Sequence, residues 1–177
     1  EYAMLPASTA RRTPREQRGR KGRSMEIERL VGRCLRSVCR LDRLGEVTIT
    51  LDCDVVEADG GTRTASVTGA WVALHQALSA MVERGQLPRI PLTGQVAAVS
   101  AGIVGGRALL DLDYPEDSHA EVDLNLAGDE RGRIVEVQGT GEGALYDRAQ
   151  LDALLDLAQA GVARLVDLQT EATGFRL

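Results

Sequence analysis

The hydrophobic positions of the chain recur with helical spacing in three long segments. Apolar residues repeat every three or four positions over 24–40, 67–82 and 151–166, which predicts three amphipathic helices. Ser24 precedes the first apolar position and is a suitable N-cap for the first helix, which would then end near Arg40. In the second helix, Trp71 is predicted to be a core anchor and His75 a packed side chain beside it.

The other apolar positions alternate or form short runs, as they do in β-strands. The predicted strands cover residues 47–55, 96–104, 108–113, 120–126 and 134–138. Gly105-Gly106 predicts a hairpin turn between the second and third of these strands, and the glycine-rich 139–143 segment predicts a flexible loop. Helices and strands of this kind indicate a mixed α/β (α+β) fold in a single domain over residues 1–177.

Composition places the chain among ordinary globular proteins. Its 177 residues are enough for one sizeable core, and 44% are hydrophobic while 27% are charged. No apolar run approaches the length that spans a membrane. The three cysteines, Cys34, Cys39 and Cys53, form no CxxC pair, so we expect reduced, mostly buried thiols and a cytoplasmic location.

The formal charge of −5 conceals a basic segment on an acidic body. Residues 1–23 contain seven basic side chains against two acidic ones, and we expect 1–22 to be extended or looped because Pro6 and Pro14 interrupt it. Such a segment attracts phosphate backbones. Composition supports equally well a solvated tail that has no partner.

A glycine-rich turn precedes the second helix. Gly60 and Gly61 allow the backbone to turn tightly, and Thr62 or Thr64 can cap the helix that follows. The helix N-terminus and the fork of donors on Arg63 suit a bound phosphate. The alternative is a common turn with an N-cap, in which the Arg63 side chain is solvated.

An acidic stretch connects the third and fourth predicted strands. Asp123 lies on the polar face of a strand, and the bend over residues 115–120 can bring Asp117 back toward it. Two convergent carboxylates are a usual way to hold Mg²⁺ beside a substrate phosphate, and one of them can act as a general acid. The alternative is an acidic surface loop, because carboxylates are mostly exposed.

Several motifs in chain order resemble the bacterial ribonuclease PH family. They are Glu1-Tyr2-Ala3-Met4-Leu5-Pro6, Gly22-Arg23 with Met25-Glu26-Ile27, the run over 50–66, Ala97-Ala98-Val99-Ser100, Glu116-Asp117-Ser118 and Val135-Glu136-Val137-Gln138-Gly139-Thr140. The resemblance covers nearly the whole chain and is more specific than any one of the motifs.

The resemblance implies a fold, an activity and an assembly. The fold is ribosomal protein S5 domain 2-like, assembled as a hexameric ring that is a trimer of dimers. The activity is phosphate-dependent 3′→5′ exoribonuclease and tRNA nucleotidyltransferase chemistry in the cytoplasm, which trims the 3′ ends of tRNA precursors and releases nucleoside diphosphates. Inorganic phosphate is the co-substrate and Mg²⁺ the cofactor.

The resemblance also implies roles for particular residues. The phosphate-binding positions are Arg23, Gly61, Thr62 and Arg63; the catalytic and Mg²⁺-binding positions are Asp117 and Asp123; the RNA-binding positions are Arg12 and Arg15.

The sequence departs from the family in two places. The family has a segment of several strands ahead of Glu1, and its members commonly have arginine where this chain has Ala7. Two other classes therefore stay open. One is a non-catalytic RNA-binding ring subunit of an exosome-like assembly, and the other is a hydrolytic metal nuclease, for which a phosphate-binding turn has little use.

Overall fold

A computed structural model describes residues 1–12 and 22–176 of the chain. Within them the chain forms four helices and six strands, with a short 3₁₀ turn at Leu41–Arg43. In chain order the elements are β1 (Tyr2–Met4), α1 (Gly22–Ser37), β2 (Cys53–Val55), α2 (Thr62–Glu83), β3 (Val96–Val104), β4 (Arg107–Leu110), α3 (Tyr114–Asp117), β5 (Val122–Asp129), β6 (Ile134–Gly141) and α4 (Arg148–Thr173).

The centre of the fold is an antiparallel sheet with the strand order β4-β3-β5-β6. Nearly every residue of β3 is buried, because helices cover both faces of the sheet. Alternate residues of the strand separate the two cores: Val96 and Ala98 face α1 and α2, whereas Val99 and Ala101 face α4. The predicted mixed α/β fold, with its hairpin at Gly105-Gly106, is confirmed.

Trp71 is fully buried at the centre of the first core, as predicted. Its indole nitrogen donates to the Gly94 carbonyl, and its ring stacks on His75 at 5.6 Å. Phe175, just after α4, meets both rings edge-on. Phe175 therefore packs the segment just after α4 against α2.

The strand predicted over 47–55 is shorter than expected. Ile49, Leu51, Cys53 and Val55 alternate in burial as the pattern requires, but only residues 53–55 form a ladder. The partner of β2 is the three-residue parallel strand β1, whose first residue, Tyr2, pairs with Cys53, so the ladder begins at Cys53 and not at residue 47.

Two further boundaries differ from the sequence prediction. Helix α1 begins at Gly22, so Ser24 lies inside the helix and is buried, and the prediction that it caps the helix is wrong. Strand β6 runs through Gly139 to Gly141, where a flexible loop was expected, because Thr140 and Gly141 pair with Asp123 and Val122 of β5. Ladder hydrogen bonds hold these glycines in the sheet.

No helix in the described part of the chain is long and apolar enough to cross a membrane. All three cysteines are unpaired thiols: Cys34 is buried, and Cys39 and Cys53 are half-buried. Burial raises the pKa of the Cys34 thiol to about 12, which makes this side chain a weak nucleophile at neutral pH.

Candidate functional site

The sheet surface that faces α1 and α2 is polar near the first turn of α2. Ser100 on β3 lies directly across the ladder from Asn125 on β5, and Asp123 is two residues before Asn125 on the same face. Together with the first residues of α1 and α2 and the end of α3 they form a pocket of about 330 Å³. Its lining is Arg23, Gly61, Thr62, Arg63, Ser100, Asp117, Ser118, Ala120, Asp123, Asn125 and Glu142.

The glycine turn before α2 adopts a conformation that other residues rarely accept. Gly60 and Gly61 have φ angles of 69° and 53°, and a Cβ atom on Gly60 would lie 2.2 Å from the carbonyl oxygen of Leu112. Gly61 is the N-cap of α2, and no side chain of the described residues caps the helix. The turn is therefore pressed against the segment after β4, and it presents the first helical amides of α2 uncapped.

The threonines of this turn do not cap the helix as predicted. The Thr64 hydroxyl donates to the Gly61 carbonyl at 2.8 Å, and the Thr62 hydroxyl lies 2.8 Å from the Tyr2 hydroxyl. The left-handed conformation of Gly61 is the physical reason, because it makes a residue without a side chain the N-cap.

Arg63 reaches from the first turn of α2 toward β6 and is held there by two side chains. Its Nη1 donates to Oε1 of Gln138 at 3.1 Å and lies 3.4 Å from Oε1 of Glu26 on α1. Gln138 in turn donates to Glu26 and to Glu136. This network leaves the Arg63 side chain only 24% exposed and directs it along the pocket wall.

Asp117 is placed by a short capped helix. The Asp113 carboxylate accepts from the Glu116 amide, and Glu116 accepts from the Asp113 amide, so the two residues form a capping box around α3. Asp59 accepts from the amide of Tyr114 at 2.9 Å, which ties α3 to the glycine turn. The acidic bend is therefore an ordered part of the site.

Asp123 is a half-buried carboxylate with other acids near it. Burial raises its pKa, and the negative charges of Asp117 and Glu142 raise it further, while Arg63 and the Asn125 hydrogen bond act in the opposite direction. The Asn125 amide nitrogen donates to both carboxylate oxygens, at 3.1 and 3.3 Å. Asn125 thus fixes the orientation of the Asp123 carboxylate, while burial and the neighbouring acids make its ionised form unfavourable.

The structure brings together six of the residues that the sequence singled out. They are Arg23, Gly61, Thr62, Arg63, Asp117 and Asp123. Arg12 is exposed and does not line this pocket, and Arg15 lies outside the described residues.

Sequence reasoning missed Ser100, Asn125 and Glu142 as pocket residues. Asn125 was detectable in principle, because it continues the polar face of the strand that contains Asp123. Ser100 interrupts an apolar run on β3 and is 3% exposed, and its hydroxyl has no hydrogen-bond partner among the described residues. A polar residue inside an otherwise apolar strand was the available signal.

The chain matches both domains of one protein family. Residues 1–85 match the 3′ exoribonuclease family, domain 1, and residues 94–161 match the 3′ exoribonuclease family, domain 2. The chain therefore belongs to the 3′ exoribonuclease family.

A ribonuclease PH of Synechococcus sp. is 56% identical to this chain over 172 residues, which are 97% of this chain and 70% of that protein. The sequence-based resemblance to ribonuclease PH is thereby confirmed, and with it the expected enzyme class, a phosphorolytic 3′→5′ exoribonuclease with phosphate as co-substrate.

A solved structure supports the fold independently. The protein in a structure entitled "archaeoglobus fulgidus exosome with RNA bound to the active site" superposes with a TM-score of 0.72 at 24% identity. The match covers 94% of this chain and 68% of that chain. The architecture expected from the resemblance, a ribonuclease PH-type fold, is confirmed.

Proposed function

We propose that the pocket between α1, α2, α3 and β5 is the active centre at which inorganic phosphate attacks the last phosphodiester of an RNA 3′ end. The main support is that charges of both signs line this one pocket. Two arginines, Arg23 and Arg63, come from the starts of α1 and α2, while Asp117, Asp123 and Glu142 come from α3, β5 and the segment after β6. A pocket that binds an anion beside a metal-bound phosphodiester needs both kinds of charge.

We place the phosphate beside the two arginines of the pocket. The uncapped amides of α2 and its dipole favour an anion, and Arg63, which lines the pocket, is held in position by Gln138 and Glu26. A guanidinium group is suited to phosphate because it donates two parallel hydrogen bonds to it. Arg23 supplies a second positive charge, so the nucleophile is held by fixed groups before RNA arrives.

The reaction joins two anions, and the site must offset their repulsion. An oxygen of hydrogen phosphate attacks the phosphorus of the terminal nucleotide and the bond to the preceding 3′-oxygen breaks. The proton that hydrogen phosphate gives up passes to that 3′-oxygen, which leaves as a hydroxyl group. The products are a nucleoside diphosphate and an RNA that is one nucleotide shorter. Arg23 and Arg63 lower the barrier by aligning the nucleophile and by stabilising the charge on the equatorial oxygens.

Asp117 and Asp123 fit a divalent cation. No cluster of three potential metal-ligating side chains occurs among the described residues, so the two carboxylates would share the ion with water and substrate phosphate oxygens, as Mg²⁺ commonly does. Burial raises the pKa of Asp123, and the negative charges of Asp117 and Glu142 raise it further, so the ionised carboxylate is costly there and a cation would offset that cost. Bound there, Mg²⁺ would stabilise charge on the scissile phosphate and the leaving oxygen.

RNA is the macromolecular substrate, and precursor tRNA 3′ ends are the proposed target. The support is the basic segment over residues 1–23, which begins at the strand beside the pocket. We assign Arg12 and Arg15 to backbone phosphates upstream of the 3′ end, where contacts give affinity without sequence preference.

A hexameric ring, built as a trimer of dimers, is the proposed assembly, and the cytoplasm the proposed location. β6 is an edge strand of the sheet whose Ile134 and Val137 side chains are about half exposed, a surface that assembly would cover. The three unpaired thiols suit a reducing compartment. Native mass spectrometry tests the ring directly, and a monomer at micromolar concentration would contradict it.

The experiment that tests the function is RNA degradation with Mg²⁺, in the presence and absence of inorganic phosphate, with identification of the nucleotides released. Nucleoside diphosphates that form only with phosphate are the expected products. Monophosphates released without phosphate would contradict phosphorolysis and indicate a hydrolytic metal nuclease. A folded chain that binds RNA but releases no nucleotides would indicate a non-catalytic ring subunit. The presence of Arg23, Arg63, Asp117 and Asp123 disfavours that class, because a scaffold does not need all of them.

A further inference from the structure

The hydroxyl group of Tyr2 lies 2.8 Å from the hydroxyl group of Thr62, which is the first residue of α2 and part of the candidate phosphate site. Tyr2 is 5% exposed, and its ring packs in the core formed by α1 and α2. Its backbone is fixed as well, because it pairs with Cys53 in the β1–β2 ladder. The phenol oxygen is therefore held rigidly beside the turn.

The direction of this hydrogen bond decides what the Thr62 hydroxyl can do. A threonine hydroxyl has one proton and two acceptor lone pairs. If Tyr2 donates to Thr62, the Thr62 proton is free to be donated to another group. A phenol is the more acidic of the two hydroxyls and so the better donor, and a bound phosphate offers acceptors to the remaining proton.

We propose that Tyr2 is a positioning residue that donates to Thr62 and thereby orients the Thr62 hydroxyl as a donor to the phosphate nucleophile. The proposal rests on the function given above, because it needs phosphate at the start of α2. It extends the site to a residue that does not line the pocket. It also explains why a tyrosine occupies this buried position, since phenylalanine would fill the same space in the core but has no hydroxyl group.

The test compares the KM for phosphate among isosteric variants. Tyr2→Phe removes only the phenol oxygen, and we expect the KM for phosphate to rise roughly three- to tenfold, the usual effect of one lost hydrogen bond. The turnover number and the affinity for RNA should not change, because neither depends on this donor. Tyr114→Phe, at an exposed tyrosine near the site, is the matched control and should keep the wild-type KM.

A double-mutant cycle separates positioning from a merely structural role. Thr62→Val should raise the KM for phosphate by itself, and adding Tyr2→Phe to it should cause no further rise, because the residue through which Tyr2 acts is already gone. Thr62→Ser keeps the hydroxyl, so its KM for phosphate should be lower than that of Thr62→Val, and adding Tyr2→Phe to it should again raise the KM. Equal effects of Tyr2→Phe in both backgrounds, or an unchanged KM in the single variant, would overturn the proposal.

Two controls make a failure interpretable. Calorimetric binding of inorganic phosphate without RNA should weaken in Tyr2→Phe by the same factor as the KM, whereas a structural defect would appear as a lower melting temperature with unchanged phosphate affinity and would contradict the proposal. If the wild-type protein shows no phosphate-dependent RNA decay, the proposed function itself fails and this inference fails with it. If the wild type degrades RNA only with phosphate and Tyr2→Phe has the wild-type KM for phosphate, this inference fails while the proposed function stands.

Discussion

Arg63 at the start of α2 donates a hydrogen bond of 3.1 Å to Gln138 on β6, 75 positions further along the chain. Glu26 on α1 lies between them, 3.4 Å from Nη1 of Arg63 and 3.2 Å from the amide nitrogen of Gln138. Three elements thus determine where one guanidinium group points. Orientation of that group before phosphate binds lowers the entropic cost of aligning the nucleophile.

Replacing Arg63 with alanine should reduce kcat/KM for phosphate roughly 100- to 1,000-fold, which is typical for loss of one preorganised charge-stabilising donor. Gln138→Leu should have a smaller effect of the same kind, because Arg63 remains but loses an acceptor that orients it. Steady-state rates at varied phosphate measure both. Arg107→Ala, at an exposed arginine on the β3–β4 hairpin, is the control. Normal rates of Arg63→Ala at low phosphate would contradict the role of Arg63.

Asp123→Asn should abolish phosphorolysis at every phosphate concentration, because an amide is a poor Mg²⁺ ligand while its shape is nearly unchanged. The same change should raise the melting temperature, since it removes a carboxylate whose pKa is raised mainly by burial and then by Asp117. Asp52→Asn, at an exposed carboxylate, should alter neither quantity. A retained response of the variant to Mg²⁺ would show that the ion binds elsewhere.

Replacing Arg12 and Arg15 together with alanine should weaken RNA binding and reduce the slope of log affinity against log salt concentration by about 1.4, because each arginine is expected to neutralise one backbone phosphate of a single strand. Fluorescence anisotropy with a short single-stranded RNA between low and physiological salt measures this slope. The KM for phosphate should stay as in the wild type. A slope that does not change would mean that these arginines are only solvated.

Stability should fall as the pH drops below about 6.5, and His75 should account for part of the fall. Burial lowers the pKa of His75 below its ordinary value of 6.5, so the unfolded chain binds a proton more readily than the folded one. The contribution of His75 to the free energy of unfolding is therefore constant above about pH 6.5. It becomes unfavourable to folding as the pH decreases toward the pKa of His75 in the folded protein. Urea unfolding from pH 8 to pH 5.5 measures the effect.

His75→Phe preserves an aromatic ring against Trp71 and should show a shallower loss of stability at low pH than the wild type. Parallel curves for the wild type and His75→Phe would mean that His75 does not contribute.

Local patterns in the sequence predicted the long elements well. The helices around Trp71 and Leu154, and the buried strands on either side of Gly105-Gly106, follow from hydrophobic spacing alone, because each must bury one stripe or face. The boundaries that were wrong depend on partners elsewhere in the chain. β2 begins only at Cys53, where pairing with Tyr2 of β1 begins, and β6 continues through Gly139 because β5 is beside it.

The candidate site shows the same difference between what local patterns predict and what depends on distant residues. Arg63, Asp117 and Asp123 were found from residue type, local pattern and family resemblance, but the side chains that orient two of them were not. Asn125 holds Asp123, and Gln138 holds Arg63, and neither relation is visible until strands and helices are packed together. The Thr62 hydroxyl was expected to act as a cap, yet it meets Tyr2, 60 positions earlier in the sequence.

The close approach of Gly60 to the Leu112 carbonyl limits how the two portions of the chain can be exchanged between related proteins during evolution. Gly60 belongs to the portion that matches domain 1 of the family and Leu112 to the portion that matches domain 2. The arginines of the pocket come from the first portion and its carboxylates from the second. A chimaera that joins the domain 1 portion of one protein to the domain 2 portion of another, between residues 85 and 94, would combine surfaces that do not fit each other. We therefore expect the two portions to be inherited together.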